Sequence, residues 1–214
     1  MTRVLVICEG RTELDFVRIC LEPHLRDYGL VVHPSLLKTR PGMHGGGAVT
    51  VERVAQHISF EYHHFDRVTT LLDLYGFRNA AQRGKTRLES AILEAVRHKI
   101  PNLRDDRVLP HVQRHEFEAL LFSDVNGFES VQDGWSDAAR NALQGVRDKP
   151  ASPEDIDDGP QTAPSKRIQK AFSTGRYNKV LHGPRIAQAI GLDRIRTECP
   201  GFDDWVSRME RWGS

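Results

Sequence analysis

Hydrophobic positions in the first half of the chain alternate between short apolar runs and longer stretches with helical spacing. Residues 3–8 form an apolar run rich in β-branched residues, which is typical of a strand buried on both faces of a sheet. Large apolar residues then recur at helical spacing, at Leu14, Val17, Leu21, Leu25 and Tyr28. This spacing predicts a helix over residues 13–28 with Thr12 as its N-cap.

The same alternation continues to about residue 130. The further strands are predicted at residues 30–32, 36–39, 68–72 and 107–113, with Pro34 separating the first two. The further helices are predicted at residues 51–62 and 88–96 and in the segment that carries His115, Glu116 and Glu118. Loop 41–47 is rich in glycine and is predicted to be mobile. Because parallel neighbours need a crossover helix, this order predicts an α/β fold with a mostly parallel central sheet flanked by helices, of Rossmann-like topology.

Beyond residue 131 the strand-like runs end, and helical segments broken by Gly and Pro take their place. They are predicted at residues 136–146, 165–172, 184–190 and 202–211. We therefore expect an α/β domain over residues 1–130 and a helical C-terminal part over residues 131–214 that packs on it.

The composition narrows the class of protein. The chain has 214 residues, of which 39% are hydrophobic and 28% charged, and no apolar run approaches the roughly 20 residues that a membrane span needs. It begins directly with a strand rather than with a targeting leader. Cys8, Cys20 and Cys199 lie far apart without a CxxC pair, which argues against a disulfide scaffold or a thiolate zinc site. We expect a soluble cytoplasmic protein without a membrane partner.

The charge is uneven along the chain although its net value is only +1. One acidic segment comprises Glu154, Asp155, Asp157 and Asp158. Residues 159–192 then contain no Asp or Glu, and their cations are Lys166, Arg167, Lys170, Arg176, Lys179 and Arg185. This acid-free stretch favours a surface that faces phosphate groups.

Acidic residues follow three of the predicted strands. Glu9 follows the first strand, Asp73 ends a later one, and Glu116 and Glu118 follow the last. Because the carboxyl ends of parallel strands share one edge of a sheet, these carboxylates are expected to converge in one crevice. Oxygen ligands favour Mg²⁺ or Mn²⁺, ions that promote phosphoryl transfer or hydrolysis. For each acid taken singly, a helix cap or a solvated loop residue is the alternative interpretation.

Gly10, Arg11 and Thr12 form a second predicted element. A glycine turn that leads into a helix points backbone N–H groups at an anion, and a phosphate would suit this position. Arg11 would add a charge-assisted contact, whereas Thr12 is the expected helix cap. His115 has two open interpretations, a metal ligand or proton shuttle on the one hand and a structural hydrogen-bonding residue on the other.

Several strings resemble known motifs. VICEGRTE at residues 6–13 resembles the first motif of Toprim domains, in which a glutamate after the first strand precedes a glycine. DLYGF at residues 73–77 stands where that superfamily has its DxD motif. The whole chain resembles a bacterial Toprim-like family of unknown function, domain-of-unknown-function family 4276, through HEFEALLF at 115–122, IDDGPQTAPSKR at 156–167, HGP at 182–184 and IGL at 190–192. Its members are often encoded beside AAA-type ATPases in abortive-infection and other phage-defence loci.

The resemblance implies roles for individual residues. It implies that Glu9 is a metal ligand or a general acid/base and that Asp73 is a metal ligand. Tyr75 replaces the second acid of the DxD motif, so one expected metal ligand is missing. Glu116 or Glu118 is the candidate substitute from the neighbouring strand.

The sequence GPQTAPSKR at residues 159–167 predicts a turn that leads into a helix capped by Ser165. Lys166 and Arg167 would lie in its first turn, where cations oppose the helix dipole unless an anion lies above them. Two candidates for that anion remain open, a substrate phosphate and the acidic segment. His182 also has two open roles, since it either faces the same crevice or caps the next helix.

These features predict a metal-dependent nuclease that acts as a phage-defence effector with an AAA-type ATPase partner. The expected metal ligands are Glu9, Asp73, Glu116 and Glu118, with Mg²⁺ or Mn²⁺ as the metal. Lys166 or Arg167 would neutralise the scissile phosphate, and the expected proton-transfer residues are His115 and His182. The alternatives are a non-catalytic module that binds nucleic acid or the ATPase, and a small-molecule phosphohydrolase. The choice between DNA and RNA, tRNA included, stays open, as does the oligomeric state, a homo-oligomer included.

Overall fold

The computed structural model describes residues 1–37, 49–77, 80–156, 159, 162–172 and 177–213. The predicted loop 41–47 lies outside the described residues, and so do Asp157, Asp158 and Arg176.

A parallel sheet forms the centre of the fold. Its strands are β1 (Thr2–Cys8), β2 (Leu30–Leu36), β3 (Arg67–Asp73), β4 (Val108–Leu109) and β5 (Val112–Gln113). They are ordered β2-β1-β3-β4, and β5 continues the pairing with β3 beyond β4. Each of these pairings is parallel, so the carboxyl ends of β1, β3 and β5 lie at the same edge of the sheet. The predicted α/β class is confirmed.

Helices cover the sheet and make up the C-terminal part of the chain. They are α1 (Arg11–Phe16), α2 (Glu22–Asp27), α3 (Val51–Glu61), α4 (Ala80–Lys99), α5 (Asp137–Arg147), α6 (Pro164–Ala171), α7 (Lys179–Ile190), α8 (Leu192–Glu198) and α9 (Pro200–Glu210). A π-helical turn, Val17–Leu21, joins α1 to α2, and 3-10 helices cover Phe117–Ser123 and Val125–Val131. Among the described helices, none combines the length and the apolar character that crossing a lipid bilayer requires.

Two hydrophobic clusters bury the two faces of the sheet. Val4 and Val6 of β1 belong to the first cluster, and Leu5 and Ile7 belong to the second. Helices α1, α2 and the C-terminal helices fill the first cluster, whereas α3 and α4 fill the second. A strand covered on both faces has no polar side, which explains the continuous apolar run of residues 3–8. The domain boundary at residue 130 stays a prediction.

Two strand predictions differ from the structure. β2 continues through Pro34 because it is the edge strand of the sheet, where a residue without an amide donor is tolerated. The predicted strand 107–113 is two short strands, since Pro110 and His111 interrupt the ladder. The hydroxyl of Thr70 compensates at the break, because it donates to the carbonyl of His111 at 2.7 Å and accepts from the amide of His111 at 2.8 Å.

Predicted helix starts were less accurate than predicted strands. Gly10 rather than Thr12 is the N-cap of α1, and Ala163 rather than Ser165 is the N-cap of α6. The segment after β5 is a 3-10 helix with Glu116 as its N-cap, not an α-helix. A local capping box between Gly10 and Glu13 marks the start of α1, whereas the amides of Ser165 and Phe117 donate to carboxylates from distant segments.

The segment 179–198 departs most from the prediction. α7 begins at Lys179, where Asn178 caps it by accepting hydrogen bonds from the amides of Val180 at 3.1 Å and Leu181 at 3.2 Å. His182 therefore lies inside α7 and does not cap it, and Pro184 is accommodated within the same helix. The sequence pattern did not predict α8, which begins directly after Gly191.

Candidate active site

Glu9 lies immediately after β1 at the carboxyl edge of the sheet. Its amide donates to the carbonyl of Leu71 at 3.2 Å, which extends the pairing of β1 with β3 by one residue. Its Oε2 atom accepts a hydrogen bond from the amide of Asp73 at 3.1 Å. Burial and the neighbouring Glu13 carboxylate raise the pKa of Glu9 to about 7. The Glu9 carboxyl group therefore exchanges protons near neutral pH.

Gly76 lies against this carboxylate. A Cβ atom on Gly76 would be 2.5 Å from Oε1 of Glu9 and closer still to Oε2. Glycine at this position is therefore what leaves room for the side chain of Glu9.

Asp73 is the last residue of β3 and connects the sheet to the segment after β5. Its Oδ1 atom accepts a hydrogen bond from the amide of Phe117 at 2.9 Å. The side chain is largely buried, and burial raises the pKa of Asp73 well above its usual range. Three neighbouring carboxylates raise this pKa further, those of Glu13, Glu9 and Glu118. Segments that are distant in sequence therefore bring their negative charges to one place.

Glu118 is the most deeply buried of these acids, with 1% of its surface exposed. Among the described residues, no other residue donates a hydrogen bond to either of its carboxylate oxygens. The ammonium group of Lys179 lies 3.9 Å from Oε1. Burial raises the pKa of Glu118 to about 7, against the opposing effect of Lys179. A carboxylate in this environment gains more from a bound cation than one that is hydrogen-bonded or exposed to water.

Glu13 belongs to the same group, although it was not among the predicted site residues. It is buried in the first turn of α1, and its Oε2 atom accepts a hydrogen bond from the amide of Gly10 at 2.8 Å. Burial raises the pKa of Glu13. A glutamate three residues after an N-cap is a capping-box pattern, and this was the available signal in the sequence.

Lys179 was also missed as a site residue. Burial lowers its pKa, but nearby carboxylates outweigh burial and raise it, chiefly those of Glu118 and Asp73. Lys179 is one of several cations in the acid-free stretch, and no local pattern distinguishes it from the others. Close packing of α7 on α1 brings it to the site, since a Cβ atom on Gly183 would lie 3.0 Å from the methyl group of Thr12.

The side chains that meet at this site are carboxylates, and carboxylate oxygens suit a hard divalent cation. We call Glu9, Glu13, Asp73 and Glu118 the carboxylate group. In the described part of the chain, no set of three or more His, Cys, Asp or Glu side chains is arranged to hold a metal ion. Mg²⁺ in phosphoryl-transfer sites binds through one or two carboxylates, and water and substrate phosphate complete its coordination. The oxygens of Glu118, which accept no hydrogen bond from another described residue, are ligands of this kind.

Glu116 lies at the margin of the carboxylate group. Its charge contributes to the raised pKa of Glu118. Its Oε2 atom accepts a hydrogen bond from the amide of Ser165 at 3.0 Å, in the first turn of α6. The N-terminus of α6 thus receives a carboxylate from within the protein.

Lys166 and Arg167 follow in the same turn of α6. Lys166 is exposed, whereas the guanidinium of Arg167 donates to the carbonyl of Thr162 at 2.6 Å. Within the described residues, the acidic segment has other partners. Asp155 pairs with Arg114 at 2.8 Å, and Glu154 accepts a hydrogen bond from the amide of Gly201 at 2.6 Å. The phosphate-binding role of Lys166 and Arg167 stays a prediction.

The turn of Gly10, Arg11 and Thr12 is largely engaged within the protein. The amide of Gly10 donates to Glu13, and the Arg11 guanidinium donates to Asp15 at 2.8 Å. Thr12 is buried against α7. Their predicted role in phosphate binding remains a prediction.

The two candidate histidines lie in different surroundings. His115 is half-buried, has a φ of 62° and stacks on Tyr75 with ring centroids 6.1 Å apart. His182 is half-buried in α7, and its Nδ1 atom accepts a hydrogen bond from the amide of Asn178 at 3.1 Å. Burial and the Arg185 guanidinium lower the pKa of His182. The proposed proton-transfer roles of both histidines stay predictions.

Comparisons with known proteins relate the chain to a family and to a solved structure. A family model described as Domain of unknown function (DUF4276) matches residues 8–210, a range that includes the whole carboxylate group and Lys179. Among solved structures, the C-terminal region of the OLD protein of Xanthomonas campestris pv. campestris is similar, with 17% sequence identity, 97% coverage of each chain and a TM-score of 0.41. No curated protein matches the chain.

Proposed function

The chain belongs to the DUF4276 family, and we propose that it hydrolyses phosphodiester bonds of nucleic acids with the help of Mg²⁺ or Mn²⁺. The observation that supports this proposal is the convergence of buried carboxylates at the carboxyl edge of the sheet. Such a concentration of negative charge, with a lysine beside it, suits a divalent cation that binds phosphate oxygens in turn.

Asp73 and Glu118 are the proposed principal metal ligands, with Glu9 and Glu116 as further ligands. When bound, the cation supplies Lewis-acid stabilisation of the charge that develops on the phosphate, and it activates water. Glu118 offers oxygens that accept no hydrogen bond from another described residue. Oδ1 of Asp73 is held by the amide of Phe117 and Oε2 of Glu9 by the amide of Asp73, which fixes the orientation of both carboxylates.

Other side chains would act on the substrate and its protons. As the alternative to metal binding, Glu9 would act as the general acid/base, since its pKa of about 7 without a cation suits proton transfer at neutral pH. Lys179 keeps its positive charge beside the carboxylate group and would bind a non-bridging phosphate oxygen. The exposed Lys166 would bind a neighbouring phosphate of the strand.

We further propose that this activity serves phage defence in the cytoplasm and that an AAA-type ATPase encoded nearby restrains or delivers it. This part of the proposal rests on the family resemblance of the sequence motifs. Co-purification of the chain with the product of a neighbouring ATPase gene would support it. Equal toxicity of the chain in cells with and without that ATPase would contradict it.

Metal-dependent cleavage by the purified chain tests the proposal. We expect hydrolysis of DNA or RNA, tRNA included, with added Mg²⁺ or Mn²⁺ and none with a chelator. An Asp73→Asn protein prepared in parallel controls for contaminating nucleases. If neither metal supports cleavage of any of these polymers, with or without the ATPase, the proposed activity is wrong.

Gly76→Ala should reduce this cleavage by about 10-fold to 100-fold, because the new methyl group would push the Glu9 carboxylate from its position. Steady-state cleavage rates measure the effect. Gly145→Ala is the matched control, since a Cβ atom there would meet nothing within 4 Å. Unchanged cleavage by Gly76→Ala would show that the position of Glu9 does not matter for the reaction.

A non-catalytic nucleic-acid- or ATPase-binding module is the second candidate. Two observations favour it: the described residues hold no preformed set of three metal-ligating side chains, and Tyr75 occupies the position of an expected acid. Titration calorimetry separates the two candidates. Millimolar or tighter binding of Mg²⁺ or Mn²⁺ supports the nuclease, and its absence supports the binding module.

A further inference from the structure

Two aromatic rings stack at the margin of the carboxylate group. The rings of Tyr75 and His115 are 6.1 Å apart between centroids, with 25° between their planes. Tyr75 lies two residues after Asp73, and His115 directly precedes Glu116. Tyr75 is 37% exposed, so a ligand can reach this residue from solvent.

The backbone holds this aromatic pair in place. The amide of Tyr75 donates to the carbonyl of His115 at 3.4 Å, which ties the turn after β3 to the turn after β5. His115 has a φ of 62°, in the left-handed region that residues other than glycine seldom adopt. Such a conformation persists only where the surroundings impose it, and it is frequent at functional sites.

We propose that Tyr75, supported by His115, is a stacking platform for an unpaired base of a single-stranded nucleic acid. Aromatic rings beside a phosphate-binding site are the usual means by which proteins bind single strands, because every base has a face that stacks. The inference rests on the proposed function, since it assumes that the scissile phosphate lies at the neighbouring carboxylate group.

This platform selects against duplex substrates. The bases of a duplex stack on one another and present only their edges in the grooves. A single strand, a loop or a splayed end presents the face of a base to Tyr75. An aspartate or glutamate at residue 75 would be a candidate metal ligand, whereas tyrosine would stack on the base next to the phosphate at the carboxylate group.

Binding of labelled strands tests the inference separately from cleavage. Fluorescence anisotropy in the presence of a chelator would measure Kd for DNA and RNA strands of about 12 nucleotides and for a duplex of the same length. Tyr75→Ala should weaken binding of the single strands by about 10-fold to 100-fold, whereas Tyr75→Phe should bind within about twofold of the wild type. Duplex binding should not respond to either substitution.

Tyr28→Ala is the matched control. Tyr28 is also an exposed tyrosine, 41% exposed, beside a histidine ring, with 5.2 Å between the centroids of Tyr28 and His24. It lies at the C-cap of α2 and precedes β2, at the opposite end of the strands from the carboxylate group. Its substitution should leave the binding of single strands unchanged.

The outcomes separate this inference from the nuclease proposal. A strand with an abasic position at the stacked nucleotide should abolish the difference between the wild type and Tyr75→Ala. Cleavage by the wild type together with unchanged strand binding by Tyr75→Ala would overturn the platform and keep the nuclease. Strand binding that depends on Tyr75, together with an absence of metal-dependent cleavage, would overturn the nuclease and keep the platform. Failure of the wild type to bind any single strand would also overturn the platform.

Discussion

Replacing Asp73 with asparagine should reduce metal-dependent cleavage by about 100-fold to 1000-fold, the usual effect of removing a group that stabilises transition-state charge. Asparagine keeps a side-chain carbonyl that can accept the hydrogen bond from the amide of Phe117, which Asp73 accepts at 2.9 Å. The fold should therefore persist. The loss would come from the missing negative charge, because a neutral amide is a poor ligand for Mg²⁺ compared with a carboxylate.

Cleavage rates at saturating Mg²⁺, together with the circular dichroism of both proteins, measure this effect. Asp15→Asn is the control, since Asp15 lies in α1 but pairs with Arg11 at 2.8 Å, an ion pair whose arginine is largely exposed. Loss of such a pair costs little stability, so Asp15→Asn should cleave within about twofold of the wild type. An Asp73→Asn protein that is folded and still cleaves at half the wild-type rate would refute the role of Asp73 as a metal ligand.

Replacing Glu118 with glutamine should raise the stability of the fold and lower the rate of cleavage. We expect the metal-free protein at pH 8 to gain about 1 to 3 kcal/mol in the free energy of unfolding, because an amide is less costly to bury than a carboxylate. For a chain of this size each kcal/mol raises Tm by about 2 to 4 °C. Cleavage should fall about 100-fold, since the most buried acid of the carboxylate group loses its charge.

The gain in stability should depend on pH. Burial moves the pKa of Glu118 from 4.5 to about 7, so between these values the folded protein binds more protons than the unfolded chain. The stability of the wild type therefore falls as the pH rises, and the contribution of the neutral carboxyl group is lost as the pH passes through 7. Glu118→Gln lacks this titration, so its advantage over the wild type should be small near pH 5 and largest at pH 8.

Thermal unfolding in a chelator at both pH values measures this difference. Glu129→Gln is the control, because Glu129 is exposed and such surface substitutions change stability by less than about 0.5 kcal/mol. Added Mg²⁺ should raise the Tm of the wild type at pH 8 more than that of Glu118→Gln. A Glu118→Gln protein that is less stable than the wild type at pH 8 would contradict the description of Glu118 as a destabilising buried charge.

The carboxylate group of the metal-free protein would thus lower the stability of the fold. Proteins commonly retain unfavourable groups where function needs them, and a substitution that stabilises the fold then reduces activity. Glu9 and Glu118, whose pKa values burial raises to about 7, are such groups here. A bound cation would relieve their repulsion.

The two strands that carry the site can be located from local patterns in the sequence. β1 is a continuous apolar run that is followed by Glu9, whereas β3 carries two buried threonines among its apolar residues and ends at Asp73. The parallel arrangement followed from the crossover helices between strands. These features depend on neighbours in the chain, which is why local patterns were sufficient to predict the convergence of Glu9 and Asp73.

The surroundings of those two acids depend on how distant segments of the chain pack together. Lys179 lies beside the carboxylate group because α7 packs closely on α1, and Glu13 raises the pKa of Asp73 from a segment that is distant in the sequence. Glu118 enters the group, whereas Glu116 lies at its margin and binds the amide of Ser165. The stacking of Tyr75 on His115 joins turns that are far apart in sequence. Burial, charge coupling and ring stacking all depend on distances between segments that hydrophobic periodicity does not encode, so the sequence predicted the edge of the sheet, and packing decided which side chains meet there.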